Sequence, residues 1–309
     1  MKKKRAKEVY TLADLQNWRE AMRDVDPPIR LGVFGDPIEH SLSPQMQNAA
    51  LRDCKIDMHY ARFHIRAEEL EEAFSLLRTL DFVGINLTVP YKIAALQLID
   101  EADDATKQIG AINTVVVENG KLIGFNTDAP GFARATRGEF SVDLRDLRVL
   151  LLGAGGVGRA IAVQCARENC ERLALVNRDF EKAKALAQEL APFFSGARVL
   201  GPVARLEAVP WKDDALRFQI ANTDLVVNAT SLGMQRNEPS PLPSSILAPH
   251  LMIYDTIYTA ERTSLLAAAA DAGARGTNGL SMLLHQGALA FEIWFRREAP
   301  IDVMRAALS

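Results

Sequence analysis

The sequence predicts an α/β protein of two domains, a mixed βαβ sheet first and a doubly wound parallel sheet second. Three observations carry that expectation. A chain of 309 residues is long for one ordinary core and suits two domains or one large α/β unit. From Ile29 onward, short apolar strand patterns alternate with helical patterns, the rhythm of βαβ units. A glycine-rich turn, Gly153-x-Gly155-x-x-Gly158, stands between a continuous apolar run and a helical pattern. Composition agrees, since 48% hydrophobic and 24% charged residues are ordinary for a globular chain.

Residues 11–25 read as an amphipathic helix, with Leu12, Leu15, Trp18, Met22 and Val25 at helical spacing and Thr11 with Asp14 as a capping box. Pro27-Pro28 ends it, so residues 1–28 form a helical extension expected to pack on the first domain. That domain, expected over 29–128, takes strands at Leu31–Phe34, Tyr60–Ile65 and Gly84–Leu87, with helices at Pro44–Leu51, Glu68–Leu80 and from Lys92 to about Ile99. Asn113–Val117, Asn119-Gly120 and Leu122–Phe125 read as a hairpin, because Asn-Gly favours the turn that matches strand twist. The expected sheet is therefore a βαβ series with an antiparallel edge.

The second series, expected over 129–279, opens with Arg148–Leu152, an apolar run suited to a strand buried on both faces. A helix follows from Ala160 to Arg167, with further strands expected at Leu173–Val176, Val199–Leu200, Leu225–Asn228 and Met252–Asp255. From Ser281 to the end the periodicity is helical. Together these describe a Rossmann-type, dinucleotide-binding arrangement.

The charge balance, 36 Lys and Arg against 39 Asp and Glu, leaves a net −3. That gives no broad basic field for nucleic acid and no acidic excess typical of disorder. Cys54, Cys165 and Cys170 form no Cys-x-x-Cys pair, which leaves zinc or disulfide frameworks unsupported and suits a reducing cytoplasm. The basic start Met1–Arg5 is followed by no apolar run, so a secretory signal is not expected, nor is any membrane span. The five histidines are scattered without ligand spacing, and no Gly-x-Ser-x-Gly elbow occurs.

The glycine-rich turn points to a nicotinamide dinucleotide. Gly153 permits the tight turn, Gly155 lets backbone N–H groups reach a pyrophosphate, and Gly158 lets helix and strand approach. The helix amino terminus adds unpaired donors and a positive dipole end. After the next strand stand Asn177, Arg178 and Asp179. An acidic residue there suits the free ribose hydroxyl of NAD, an arginine the phosphate of NADP. Arg178 with Lys182 against one carboxylate favours NADP, with NAD also open; Asp179 could instead cap the next helix.

In the first domain polar groups gather at strand ends, where open α/β sheets bind ligands. They are His40-Ser41-Leu42-Ser43, Asn86 with Thr88 and Lys92, Asn113-Thr114, and Asn126-Thr127-Asp128. Each has a plain structural alternative: Ser43-Pro44 and Val89-Pro90 are good helix starts, and Asn126–Pro130 could be a loop. Lys92 and Asp128 stand apart, because an ammonium and a carboxylate at neighbouring strand ends serve proton transfer.

Seven motifs in order resemble the shikimate dehydrogenase family from about Ile29 to the carboxyl terminus: Ser41-Leu-Ser-Pro44, Asn86-x-Thr88-x-Pro90-x-Lys92, Gly124-x-Asn-Thr-Asp128-x-x-Gly131, Gly153-Ala-Gly-Gly156, Asn177-Arg178, Asn228-Ala-Thr-Ser-x-Gly-Met234 and Asn278-Gly-x-x-Met282-Leu-x-x-Gln286. The resemblance implies Lys92 and Asp128 as the catalytic pair. It implies that Ser41, Ser43, Asn86, Thr88, Asn113, Tyr258 and Gln286 hold a cyclohexene acid. Gly153, Ala154, Gly155, Gly156, Val157, Asn177, Arg178, Asp179, Thr230 and Gly279 would line the cofactor. The final helices, 280–309, would return to the first domain.

Three positions depart from the family pattern. Gln47 stands where histidine is usual, Ala260 where proline is usual, and Asp179 where NADP-preferring members carry Thr or Ser. The implied reaction is reversible hydride transfer between NADP and the ring carbon that is a ketone in 3-dehydroshikimate, with Lys92 stabilising the oxygen and Asp128 orienting Lys92. Quinate is an alternative substrate on the same scaffold, and a non-catalytic nucleotide sensor a further alternative. No metal is implied, the partner is a small-molecule acid, and monomer and homodimer both remain open.

Overall fold

The computed structural model describes residues 6–195, 203–235, 238–259 and 261–308. The chain divides into two compact units, one of Met1–Thr127 with Leu283–Ser309, the other Asp128–Met282. Among the described residues no helix is long and apolar enough to cross a membrane.

The first unit opens with a strand the sequence did not announce, β1 (Val9–Thr11), then α1 (Leu12–Gln16) and α2 (Trp18–Ala21). The single helix expected over 11–25 is thus two short ones. Asn17 breaks it, because its side-chain amide donates to the Ala13 carbonyl at 3.0 Å, local competition typical of Asn. The Thr11 amide donates to the Asp14 carboxylate at 3.0 Å, the half of the capping box that starts α1. Leu12, Leu15 and Trp18 are buried in the same core as Phe63, Phe74 and Phe82. The extension is therefore part of this unit's core, each buried large side chain contributing about 1.5–3 kcal/mol.

β2 (Ile29–Gly35), α3 (Ser43–Asp53), β3 (His59–His64), α4 (Leu70–Leu77) and β4 (Gly84–Leu87) come next, as expected. The helix expected from Lys92 is only a 3-10 turn at Ala94–Gln97. Lys92's carbonyl accepts from the Ile112 amide at 2.7 Å, so it is diverted from an α-helical bond. Then come β5 (Glu101–Ala102), α5 (Asp104–Ile109), β6 (Thr114–Glu118) and β7 (Lys121–Phe125). The hairpin turn has Asn119 at φ 53° and Gly120 at φ 75°, the paired left-handed residues that Asn-Gly supplies.

The sheet order is β1-β3-β2-β4-β6-β7-β5. Only β6 runs antiparallel to its neighbours, and it lies inside the sheet. This corrects the expected antiparallel edge: β5, two residues long, pairs parallel with β7 and takes that edge.

The second unit begins with α6 (Asp128–Phe140), then β8 (Arg148–Leu152), α7 (Gly156–Arg167), β9 (Arg172–Val176), α8 (Phe180–Leu190) and β10 (Leu206–Val209). α9 (Asp213–Ile220), β11 (Leu225–Asn228), β12 (Met252–Asp255), α10 (Ser264–Asp271) and β13 (Arg275–Thr277) complete the sheet. All six strands are parallel in the order β10-β9-β8-β11-β12-β13. Numbered from its own first strand this is 3-2-1-4-5-6, the doubly wound dinucleotide-binding order. β8, β9 and β11 are buried along almost their whole length, as their unbroken apolar runs require. The expected strand at Val199–Leu200 and the position Ala260 lie outside the described residues.

α11 (Leu280–Phe295) and α12 (Ile301–Ala306) end the chain. From Leu283 on they belong to the first unit. There the Trp294 indole donates to the Val115 carbonyl at 3.0 Å. Gly84 makes room for it: a Cβ at that position would lie 2.2 Å from the indole nitrogen.

Candidate active site

In the first unit, the carboxyl ends of β2 and β4 and the amino end of β6 share one rim, since Val33 pairs with Asn86 and Asn86 with Thr114. A buried amide network forms there. Asn86 donates through Nδ2 to the Asn113 carbonyl and to Thr114 Oγ1, both at 3.0 Å. Its Oδ1 accepts from the Tyr60 hydroxyl at 2.8 Å. Asn113 donates through Nδ2 to Thr127 Oγ1 at 2.9 Å and to Gln286 Oε1 at 3.2 Å, and accepts the Thr127 amide at 2.7 Å. Gln286 then donates to the Leu283 carbonyl at 2.8 Å. Burial without partners would be costly for amides, and each of these three has partners within the network.

The serine loop leaves β2 beside this network. Arg62 on β3 donates twice to the Ser41 carbonyl, at 3.0 and 2.6 Å. The Ser43 amide donates to Ser41 Oγ at 3.4 Å, and Ser43 starts α3 with Pro44 behind it. Thr88 comes directly after β4, its amide bonded to the Phe34 carbonyl at 3.0 Å. Gly35 lets it come close, because a Cβ there would meet the Thr88 methyl at 2.5 Å. Lys92 stands beyond the cis Val89–Pro90 peptide, tied by its carbonyl to the segment that carries Asn113. Gln47, one turn after Ser43, donates to the Gly287 carbonyl at 2.9 Å. The histidine-to-glutamine departure thus sits in a buried α3–α11 packing contact, one residue along the chain from Gln286.

In the second unit the three glycines separate by role. Gly153 has φ +106° and a Cβ there would meet the Ala229 carbonyl at 2.7 Å, so no side chain fits. At Gly158 a Cβ would lie 2.1 Å from the Gly153 carbonyl oxygen, which forces the closeness of helix and turn. At Gly155 a Cβ would meet nothing within 4 Å. The backbone there faces open space at the amino end of α7, which it caps, and the first amides of that helix lack intrahelical acceptors. Gly153, Ala154, Gly155, Gly156 and Val157 therefore form an anion-receptive turn.

Asn177 lies just past β9, and its Oδ1 accepts the Ala154 amide at 3.1 Å while its Nδ2 donates to the Asp179 carbonyl at 2.9 Å. Asp179 caps α8, its Oδ1 accepting the Glu181 amide at 3.2 Å. One oxygen of its carboxylate bonds that helix, and both Arg178 and Asp179 are exposed. After β11, the Thr230 hydroxyl donates to Asn228 Oδ1 at 2.7 Å. Buried Asp255 at the end of β12 accepts from Asn228 Nδ2 at 3.0 Å, the Ile257 amide at 3.2 Å and the Thr263 hydroxyl at 2.6 Å. Burial pushes its carboxyl up, against the pull of these three donors.

That brace sets the loop bearing Tyr258. Burial, then the Asp128 carboxylate, pushes the Tyr258 hydroxyl up, so at neutral pH it is a neutral phenol able to donate. Asp128 is itself buried, as the first residue of α6. Gly279 closes the site's edge: its amide donates to the Ile257 carbonyl at 3.1 Å. A Cβ there would lie 2.1 Å from the Thr256 oxygen.

Within the first unit the structure thus brings Asn86, Asn113 and Gln286 into one bonded cluster with Ser41, Ser43, Thr88 and Lys92 on the same rim. The second unit gathers the glycine turn, Asn177 and Arg178 at one set of strand ends, and Tyr258 with Asp128. Sequence reasoning placed Thr114 and Thr127 among the strand-end polar groups and missed Tyr60, which joins the network, and Arg62, which holds the Ser41 loop. Both carried a signal, polar groups at alternate positions of a buried strand.

Comparison with known proteins gives a consistent result. Residues 33–115 match the model described as the shikimate dehydrogenase substrate binding domain, and 135–233 that of shikimate / quinate 5-dehydrogenase. Residues 279–308 match the shikimate 5'-dehydrogenase C-terminal domain. A protein of Methanopyrus kandleri (strain AV19) named shikimate dehydrogenase (NADP(+)) is 40% identical over 280 residues, 90% of this chain and 94% of that one. The crystal structure of shikimate 5-dehydrogenase from Thermus thermophilus in complex with NADP(H) and shikimate is similar with a TM-score of 0.78 and 35% identity, covering 91% of this chain and 98% of that one. Quinate dehydrogenase from Corynebacterium glutamicum in complex with NAD is similar with a TM-score of 0.76 and 30% identity, over 91% and 98% of the two chains.

Proposed function

This chain belongs to the shikimate dehydrogenase family, and we propose that it catalyses the reversible, NADP-dependent reduction of 3-dehydroshikimate to shikimate. The observation that carries the reading is the buried Asn86–Asn113–Gln286 network on the rim that also bears Lys92. Such a network fixes the directions in which hydroxyls can be met, and the bond of the Lys92 carbonyl to the Ile112 amide, next to Asn113, supports Lys92 as the residue that meets the reacting oxygen.

The glycine turn supports the cofactor, because Gly155 presents bare backbone to open space and the end of α7 favours phosphate. Arg178 supports NADP over NAD: it is an exposed cation at the end of β9, beside an Asp179 that uses one oxygen as a helix cap. The nicotinamide cofactor, when bound, would supply the hydride as NADPH in reduction and accept it as NADP+ in oxidation. As the ketone is reduced, negative charge grows on its oxygen. Lys92 stabilises that charge and donates the proton, and Asp128 holds the substrate hydroxyl as the second member of the proposed pair. Ser41, Ser43, Thr88 and neutral Tyr258 are the proposed donors to the acid's carboxylate and hydroxyls. Thr230 and Gly279 are proposed to line the cofactor.

Lys92→Ala is expected to lower kcat about 10²–10⁴-fold with little change in KM. A kcat near wild type removes the catalytic assignment. The same assay compares shikimate with quinate, each with NADP and NAD. A higher kcat/KM for quinate replaces the substrate proposed here with the activity named for the Corynebacterium glutamicum protein.

A further inference from the structure

β3 makes none of the proposed substrate contacts, yet one of its faces is polar at every position. Side chains of a strand alternate between faces. Ala61, Phe63 and Ile65 fall on the core side and are buried with Phe34 and Phe74. Tyr60, Arg62 and His64 fall on the other, and each meets a group on the rim. The Tyr60 hydroxyl donates to Asn86 Oδ1 at 2.8 Å, the Arg62 guanidinium donates twice to the Ser41 carbonyl, and His64 Nε2 lies 3.0 Å from Asp36 Oδ1. The strand is itself held, because the Asn48 side chain on α3 bonds both the amide and the carbonyl of Tyr60 at 2.8 Å.

Donor and acceptor capacity decides what this rim can recognise. Both N–H groups of Asn86 are taken by Asn113 and Thr114, and one lone pair of its Oδ1 by Tyr60. Asn86 therefore offers a ligand an acceptor. At Ser41 the hydroxyl oxygen accepts the Ser43 amide at 3.4 Å, which leaves its own proton to be donated. Arg62 anchors that residue from behind and sets a guanidinium charge next to it. The rim thus presents an acceptor at one end and a donor backed by positive charge at the other. A hydroxylated carboxylic acid satisfies both.

We propose that Tyr60 and Arg62 are positioning residues that set the polarity of the substrate site, Arg62 through the Ser41 loop toward the acid's carboxylate and Tyr60 through Asn86 toward a ring hydroxyl. This rests on the function proposed above. The two-pronged bond of Arg62 cannot be made by lysine, whose ammonium lacks the fork, which separates geometry from charge.

The test is steady-state kinetics of Arg62→Met, Arg62→Lys and Tyr60→Phe beside the wild type, with shikimate Kd measured by calorimetry. Arg62→Met is expected to raise the shikimate KM and Kd about tenfold, the scale of one charged hydrogen bond. Its kcat should stay within about twofold and its NADP KM should not move. Arg62→Lys should fall between Met and wild type, and Tyr60→Phe should raise the shikimate KM about threefold, below the charged case. A purely structural role would lower the melting temperature and kcat with the shikimate KM unchanged, and that result overturns the proposal. So does an equal rise in the NADP KM. If Arg62→Met does not fold, the Lys and Phe variants decide by the same criteria. A wild type that binds shikimate without turning it over overturns the proposed reaction alone, because the Kd values still carry this comparison. One that neither binds nor turns it over overturns both.

Discussion

At the residue scale, the proposed cofactor end of the site turns on two exposed neighbours. Asp179 caps α8 through one oxygen and lies 3.9 Å from Lys182, whereas Arg178 offers a guanidinium. A phosphate on the ribose would meet the arginine, and a charge-assisted bond of that kind is strong. Arg178→Gln is therefore expected to raise the NADP KM about tenfold while leaving the NAD KM within about twofold. Equal shifts for both cofactors, read in the same assay, would sink the assignment. The motif alone leaves Asp179 ambiguous, since an acidic residue at that position also reads as a ribose ligand; the bond from the Glu181 amide to its Oδ1 supports the cap reading and is not visible in the sequence. By contrast the tight turn at Gly153 and the close approach at Gly158 were legible from spacing, because side chains are excluded there for reasons local to the turn.

At the element scale, what was legible came from period and what was missed came from pairing. β8, β9 and β11 announce themselves as unbroken apolar runs. β1, β5 and β13 have three residues or fewer and exist because a neighbour offers an open ladder, which no local pattern records. The helix expected from Lys92 failed for the same reason, its first carbonyl being claimed by Ile112 from a distant segment. β8 and β11 are also tied by charge. The Asp224 carboxylate accepts the Arg148 amide and Nε, both at 2.9 Å, and Nη2 at 2.5 Å. Burial pushes the Asp224 carboxyl up, but the Arg148 bonds outweigh it and hold the group below its ordinary value. A depressed carboxylate contributes stability that is present above its unfolded value, about 4, and lost as pH falls through the folded one. Asp224→Asn should therefore melt below wild type at pH 7, with the gap closing as acid protonates the wild-type carboxylate, at a pH below its unfolded value of about 4. A gap that persists there would assign the loss to packing.

At the scale of the whole molecule, the two units differ in how the chain supplies them. The second is a single stretch, Asp128–Met282, with its own apolar core around Leu150, Val226 and Ile253. The first needs two stretches. The fragment Asp128–Met282 is accordingly expected to unfold cooperatively when expressed alone, followed by circular dichroism. A chain ending at Met282 should keep that transition and lose the one belonging to the sheet of Met1–Thr127. A truncated chain with both transitions intact would refute the dependence. The amino-terminal segment reads from sequence as a helix packed on the first domain; that it shares one core with Phe63 and Phe82 is a tertiary fact no local pattern records.

The divided construction of the first unit also orders events in time. A ribosome releases β2, β4 and β6 early, but Gln286, Gly287 and Trp294, which bond Asn113, Gln47 and Val115, emerge only at the end. For most of synthesis the nascent sheet lacks the bonds that Gln286 and Gly287 bring to Asn113 and Gln47 and keeps a gap shaped for an indole, while the second unit can already close around its own contacts. The part of the protein made first is the part completed last.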